Sequence, residues 1–480
     1  MSLPVKKSLS GRRAVVIGGG IAGLSAGISL AARGARVVIV EEDAAIGPGL
    51  QPATLGGRRF DPWPPAINSP HLLAELFASA DQRLTDFVSM TRLDPLCRFL
   101  LPGGTTVDFH SDPGAFAEEV AKVDARDARE IPRFLAHCLR LHESAEARKR
   151  GQILQLPWLE LLHPRAARAR IDARFRHPDV RGMFKSLRVL SHVNPFTARS
   201  PSNAQFGEFG GHGSWVMEGR TESLRKALMR LCQILGVRMV RRARVERIEL
   251  HNGAVRRLAG PGLKDMAASI VVSTVPPAAT IERFLPANDD MKRVAARMPA
   301  LQPRQHRMEL RAICSRSWEA LRPITILPSA DAREESRHID RWRVAAASPS
   351  IAIAHAAEEG GCSIACHTLA PVPSRRYNWT PAHCQEQEDH IAQRLEDSGI
   401  AQFSLSVLDQ QLIPPTAPAA EPRARHRFTD RATARLRPLS PRVSEVPGLY
   451  LACCSESGVS SIGAATLAGM LAAVCAAEDA

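Results

Sequence analysis

The chain has 480 residues, a formal net charge of +14, 45% hydrophobic and 23% charged residues, a balance that fits a folded globular protein and excludes a disordered or collagen-like one. That length exceeds one ordinary core and predicts two domains, or one large domain with an inserted second layer. Ten scattered cysteines form neither a disulfide framework nor a CxxC zinc pattern, which suits a reducing compartment.

The first segment, Met1 to Arg13, carries Lys6, Lys7, Arg12 and Arg13 without a small-residue cleavage site. The apolar run Ala14 to Leu30 therefore reads as a strand and a helix rather than a signal peptide. No other stretch reaches the roughly 18 uninterrupted apolar residues of a spanning helix. Ala14-Val15-Val16-Ile17 is a short β-branched run, followed at once by Gly18-Gly19-Gly20-Ile21-Ala22-Gly23 and a helical stretch to Arg33. This is GxGxxG in the context it requires. Gly18 allows a tight turn, Gly20 lets the backbone approach a pyrophosphate, and Gly23 lets the helix pack against the strand. Ile21 and Ala22 lie at the helix N-terminus, where free N–H groups and the helix dipole meet phosphate. Gly34 ends the helix, Ala35 to Val40 forms a second strand, and Glu41 with Glu42 stands at its end. That is about 20 residues beyond the glycines, where a carboxylate accepts ribose hydroxyl protons and opposes a 2′-phosphate. FAD or NAD binding follows from this unit.

Farther along come Gly57-Arg58-Arg59-Phe60-Asp61-Pro62-Trp63-Pro64, Pro70-His71-Leu72-Leu73-Ala74-Glu75-Leu76-Phe77, Asp94-Pro95, Pro102 to Asp108, Asn194-Pro195-Phe196 and Gly213-Ser214-Trp215-Val216-Met217-Glu218-Gly219. Toward the end stand Leu436-Arg437-Pro438, Val446-Pro447-Gly448-Leu449-Tyr450-Leu451-Ala452 and Leu467 to Ala473. In these motifs, spread over nearly the whole chain, the sequence resembles bacterial carotenoid desaturases of the phytoene desaturase and methoxyneurosporene dehydrogenase type. The resemblance tips the cofactor to FAD. It also implies a second flavin-domain crossover through a helix at Thr221 to Leu235, a strand-like run from Val237 to Ile248 containing Val245, and Ile270 to Thr274, with Val245 near the adenine. Gly463 and Ala464 begin a closing helix directed at the flavin pyrimidine edge, with Ser460 or Ser461 as N-cap. The sequence departs from the family at Cys453 to Gly463, where a glycine- and proline-rich run is usual, at Gly47-Pro48-Gly49, and at Thr416 to Thr433, which has no glycine.

The expected fold class is α/β, with a discontinuous Rossmann-like FAD-binding domain (1–75, 210–285 and 430–480) and a mixed α+β substrate and membrane-contact domain (76–209 and 286–429). Helices are expected from Pro113 to Arg176 and from Ala382 to Asp397, and strands at Arg307 to Cys314, Ile324 to Leu327, Ile351 to His355 and Cys362 to Thr368. Cys362, Cys366 and His367 lie in one of these apolar runs, where packing is the expected role, and no metal is assigned. An apolar cluster from Ile153 to Leu162, with Trp158 and an arginine rim, suits an interfacial contact. With only two tyrosines and no nucleic-acid motif, the positive charge points to a membrane surface rather than a nucleic acid. The expected location is cytoplasmic, peripheral to the inner face of the membrane.

On this resemblance the chain desaturates a carotenoid or related apolar isoprenoid by hydride transfer to flavin N5, and quinone or oxygen takes the electrons. Glu218 is the first candidate for the proton acceptor and His212 the second, because both lie in the segment expected at the flavin. Alternatives are a flavin-dependent polyene isomerase, oxygenase or saturase, and a catalytically inactive scaffold.

Overall fold

Runs of β-branched residues set the first layer, because parallel strands buried on both faces show no polar alternation. The computed structural model describes residues 7–62, 65–149, 170–187, 189, 201–263, 266–298, 305–374, 377–415, 440–452 and 462–480. It forms a five-stranded parallel sheet in the order Leu449–Leu451, Ile270–Ser273, β1 (Arg13–Ile17), β2 (Arg36–Val40) and Arg238–Val240. In its centre Val16 is flanked by Val272 and Ile39. The order places β1 between strands from three separate parts of the chain.

Helix α1 (Ile21–Ala31) packs on this sheet together with α2 (Pro70–Ser79), the helix Arg220–Ile234 and the closing helix Ile462–Glu478 around one core containing Leu24, Ile28, Leu76, Leu228 and Met470. The closing helix touches the backbone of α1. A Cβ added to Gly469 would lie 2.2 Å from the Ala22 carbonyl oxygen and 2.7 Å from the Ala26 nitrogen.

A second layer is a seven-stranded mixed sheet in the order Val407–Ile413, Gln305–Cys314, Gly361–Pro371, Ile351–Glu358, Ile324–Leu327, Cys97–Leu100 and Thr106–Phe109. Its pairs are antiparallel except where Ile324–Leu327 runs parallel to Cys97–Leu100. Phe99, Val107 and Ile326 of this sheet join Phe116, Phe134, Phe175, Phe184 and Phe206 in a phenylalanine-rich core. A separate core packs Leu310 and Ile364 against Ile391 and Leu395 of the helix Pro381–Asp397.

One element departs from the sequence reading. The run from Val237 to Ile248 is not a single strand but two, Arg238–Val240 and Arg247–His251. The exposed Arg241 and Arg242 between them have no apolar face to bury, and Arg242 turns the chain with φ +53°. The apolar cluster at Trp158 and Leu162, the Asn194 to Phe196 motif, Thr416 to Thr433, Arg437-Pro438 and Cys453 to Ser461 lie outside the described residues. Among the described residues no helix is long and apolar enough to cross a membrane.

Candidate functional site

The turn from β1 into α1 is fixed by glycines that do different work. Gly18 has φ +96°, its N–H donates to the Val40 carbonyl at 2.8 Å, and a Cβ there would fall 2.1 Å from Thr274 Oγ1. A Cβ at Gly23 would fall 1.9 Å from the Gly18 carbonyl oxygen. Gly20, by contrast, is the N-cap of α1, offers no side-chain acceptor to the first-turn amides, and would meet nothing within 4 Å if it carried a Cβ. Ile21 and Ala22 open the helix behind it. The first-turn amides therefore border open space, the arrangement an anionic pyrophosphate needs.

Glu41 sits at the mouth of this space, 8% exposed. Its Oε2 accepts from the Gly19 amide at 2.7 Å and its Oε1 from the Asp43 amide at 3.0 Å. A carboxylate offers about four lone-pair sites, so both oxygens retain acceptor capacity for ribose hydroxyls. Glu42 is exposed on the side of Arg244. Val245 is buried with Ile17, Val40 and Val271 at the ends of the central strands. These residues fit the adenosine diphosphate half of a dinucleotide.

The other half of the site is assembled across the chain. Ile67 and Trp215 exchange backbone hydrogen bonds of 2.8 and 2.9 Å, which brings Asn68 and Ser69 beside Ser214. Ser214 Oγ donates to Asn68 Oδ1 at 2.9 Å, and Ser69 Oγ donates to the buried Glu208 at 2.6 Å. A Cβ on Gly463 would come within 2.7 Å of Ser69 Cβ, so the first turn of the closing helix, including Ala464, rests on this polar group. Thr221 Oγ1 lies 3.2 Å from Asp61 Oδ1, and burial raises the pKa of Asp61 against the opposing pull of Arg220. Asn68, Ser69 and Glu208 were not singled out in the sequence, and Ser214 stood there only as part of the Gly213 to Gly219 motif. Only the serine before Pro70 gave a local signal, as a helix-start pattern.

The two candidate proton acceptors lie apart in environment. Glu218 is exposed, its amide donates to the Ser89 carbonyl, and its carbonyl accepts from Ser223 Oγ at 2.6 Å. His212 is half-buried, 4.3 Å ring to ring from His71 and 5.2 Å from His142. Burial first, and then the neighbouring His71 and His142, lower its pKa.

A family model described as FAD dependent oxidoreductase matches residues 13–281. Among curated proteins, 4,4'-diapolycopene oxygenase from a Methylomonas species is 27% identical over 288 residues, covering 57% of this chain and 58% of that protein. A 4,4'-diaponeurosporene oxygenase from Staphylococcus aureus is 25% identical over 260 residues, 51% of each chain. This chain thus spans about half the length of the curated relatives it matches. Among solved structures, an oxidoreductase from Methanosarcina mazei aligns with TM-score 0.60 at 14% identity, covering 95% of this chain and 99% of that one. Putrescine oxidase bound to putrescine aligns with TM-score 0.61 at 13% identity, over 97% and 98%. A fatty acid isomerase from P. acnes gives 0.55 at 14%, over 85% and 87%. At such identities these likenesses show the fold alone.

Proposed function

This chain belongs to the FAD-dependent oxidoreductase family and binds FAD, and from that premise we propose that it oxidises a carotenoid or a related apolar isoprenoid. The observation that carries the substrate class is the pair of relatives named as oxygenases of 4,4'-diapolycopene and 4,4'-diaponeurosporene, and the motif resemblance to carotenoid desaturases points the same way. Desaturation, the removal of a hydride and a proton from adjacent carbons, is the reaction that resemblance implies. Oxygenation is the second reading, and the names of the two relatives favour it.

Bound FAD supplies the acceptor for a hydride. In this reading Gly18, Gly20, Ile21, Ala22 and Gly23 would hold the pyrophosphate, Glu41 the ribose hydroxyls, Glu42 and Val245 would border the adenosine, and Gly463 and Ala464 would offer the positive end of the closing helix to the flavin. Glu218, which is exposed, is proposed first as the acceptor of the departing proton, and His212, whose pKa burial lowers, second. The chain's task is to align the polyene and exclude water. The electron acceptor proposed is a quinone or oxygen, and the polyene is delivered at a membrane surface on the cytoplasmic side.

The experiment is to add the FAD-loaded protein to liposomes containing 4,4'-diaponeurosporene or an acyclic precursor and to read product masses. Loss of two hydrogens identifies a desaturase and gain of one oxygen an oxygenase. Polyenes recovered unchanged, with turnover of amines instead, would overturn the proposed substrate class.

A further inference from the structure

Beside the Ser69–Glu208 pair, three side chains from three helices converge. His71 lies in the first turn of α2, Glu146 near the end of the long helix Ala125–Lys149, and His212 at the end of the helix Pro201–His212. One ligand atom from each lies within 4.8 Å of the other two. His71 Nε2 stands 3.5 Å from Glu146 Oε2. His142, one helical turn before Glu146, places its own Nε2 3.6 Å from the same oxygen. Ligands held at about 2.0–2.2 Å from one ion stand roughly 3–4 Å from each other; the 3.5 and 3.6 Å spacings round Glu146 fall in that range, and the span of the three ligand atoms, up to 4.8 Å, is slightly wider.

The surroundings add a second observation. His212 Nε2 is buried and has no hydrogen-bond partner among the described residues. Buried polar atoms are ordinarily paired, and each unpaired one calls for an explanation. A divalent cation held between His71, Glu146 and His212 would supply the partner that His212 Nε2 lacks.

We infer that His71, Glu146 and His212, with His142 as a fourth ligand within reach, form a binding site for a first-row divalent transition ion of the zinc and iron class. Two imidazoles and one carboxylate suit both zinc and non-haem iron(II). A hard ion such as magnesium or calcium prefers an all-oxygen shell. The ligands come from positions 71, 146 and 212, so no short sequence motif announces the site. This inference does not rest on the carotenoid reading.

The test uses FAD-loaded protein carrying no polyhistidine tag, stripped with a chelator and titrated with zinc in a calorimeter, with metal content then measured by mass spectrometry. About one equivalent of zinc is expected. His212→Ala and Glu146→Gln are each expected to weaken zinc binding by at least about 100-fold, beyond the 10–100-fold that loss of an outer-shell partner costs. His355→Ala, on a strand of the seven-stranded sheet, serves as the control and should bind zinc like the parent. Flavin absorbance, read on every variant, reports folding and FAD binding independently of the metal. No zinc uptake by the parent protein, or uptake that is equal in all three variants, would overturn the inference and leave the flavin site untouched. Should His212→Ala fail to fold, the near-isosteric Glu146→Gln and the parent titration still decide the question.

Discussion

Replacing Gly20 by alanine separates folding from cofactor binding. At this position φ is −69° and ψ −175°, an extended conformation open to any residue, and a Cβ would meet no atom within 4 Å. Alanine is a poorer N-cap than glycine by about 0.5–1 kcal/mol, and the stiffer unfolded chain returns about 0.4–1 kcal/mol. The two nearly cancel, so thermal and denaturant midpoints should stay close to those of the parent protein. The new methyl group, however, fills the space that the first-turn amides face, and a phosphate drawn to those amides must move away. We expect the FAD dissociation constant to rise at least about tenfold, equivalent to ~1.4 kcal/mol, measured by flavin fluorescence on protein stripped and reloaded. Gly23→Ala is the contrast. Its Cβ would sit 1.9 Å from a backbone carbonyl oxygen, so it should lower the stability of the flavin-free protein by about 1–3 kcal/mol or more. If Gly20→Ala binds FAD like the parent protein, the open space before α1 is not where the pyrophosphate lies.

Glu41→Gln should lower the stability of the flavin-free protein and also weaken FAD binding. The amide keeps one acceptor oxygen for the Gly19 or Asp43 N–H but presents an NH2 group to the other, and loss of a hydrogen bond to a charged group costs about 1.5–3 kcal/mol; parallel FAD titrations and urea melts will distinguish the two effects. Asp61→Asn addresses a carboxyl whose pKa burial raises. The folded state holds the proton more tightly than the unfolded one, so Asp61 subtracts stability as pH climbs from its unfolded pKa through the raised folded value. The asparagine variant should therefore gain on the parent protein between about pH 4, near the unfolded aspartate value, and neutrality, and the gap should close in more acidic buffer. A difference in urea midpoints that grows on acidification would contradict that sign.

The adenosine half of the site was legible because its parts are local. Strand, glycines, helix, second strand and Glu41 follow one another between Arg13 and Glu41, and each residue type answers a separate steric or electrostatic need. Four strands of the second layer, Gln305–Cys314, Ile324–Leu327, Ile351–Glu358 and Gly361–Pro371, were also readable from their apolar runs, although their neighbours and the strands Cys97–Leu100, Thr106–Phe109 and Val407–Ile413 were not. Nothing in Cys97–Leu100 announces a parallel pairing with Ile324–Leu327 more than 200 positions away. The split at Arg241 and Arg242 was missed because Val237, Met239, Val240, Val245 and Ile248 look continuous when the arginines between them are discounted. The Ser69–Glu208 bond and the histidines round Glu146 escaped for a different reason. Each joins residues from distant helices, and a lone polar residue on a helix carries no record of its partner.

The order of strands in the parallel sheet bears on how the chain is made. β1 and the glycine turn leave the ribosome more than 400 residues before the edge strand Leu449–Leu451 and the helix that seats Gly469 against α1. The nascent glycine turn must wait for these distant pieces, a topology that slows folding and leaves apolar surface uncovered in the interval. A ligand that binds the assembled form in preference to the open one holds that final closure by mass action. FAD is thus expected to act as a folding ligand, raising the thermal midpoint of the protein as its concentration rises.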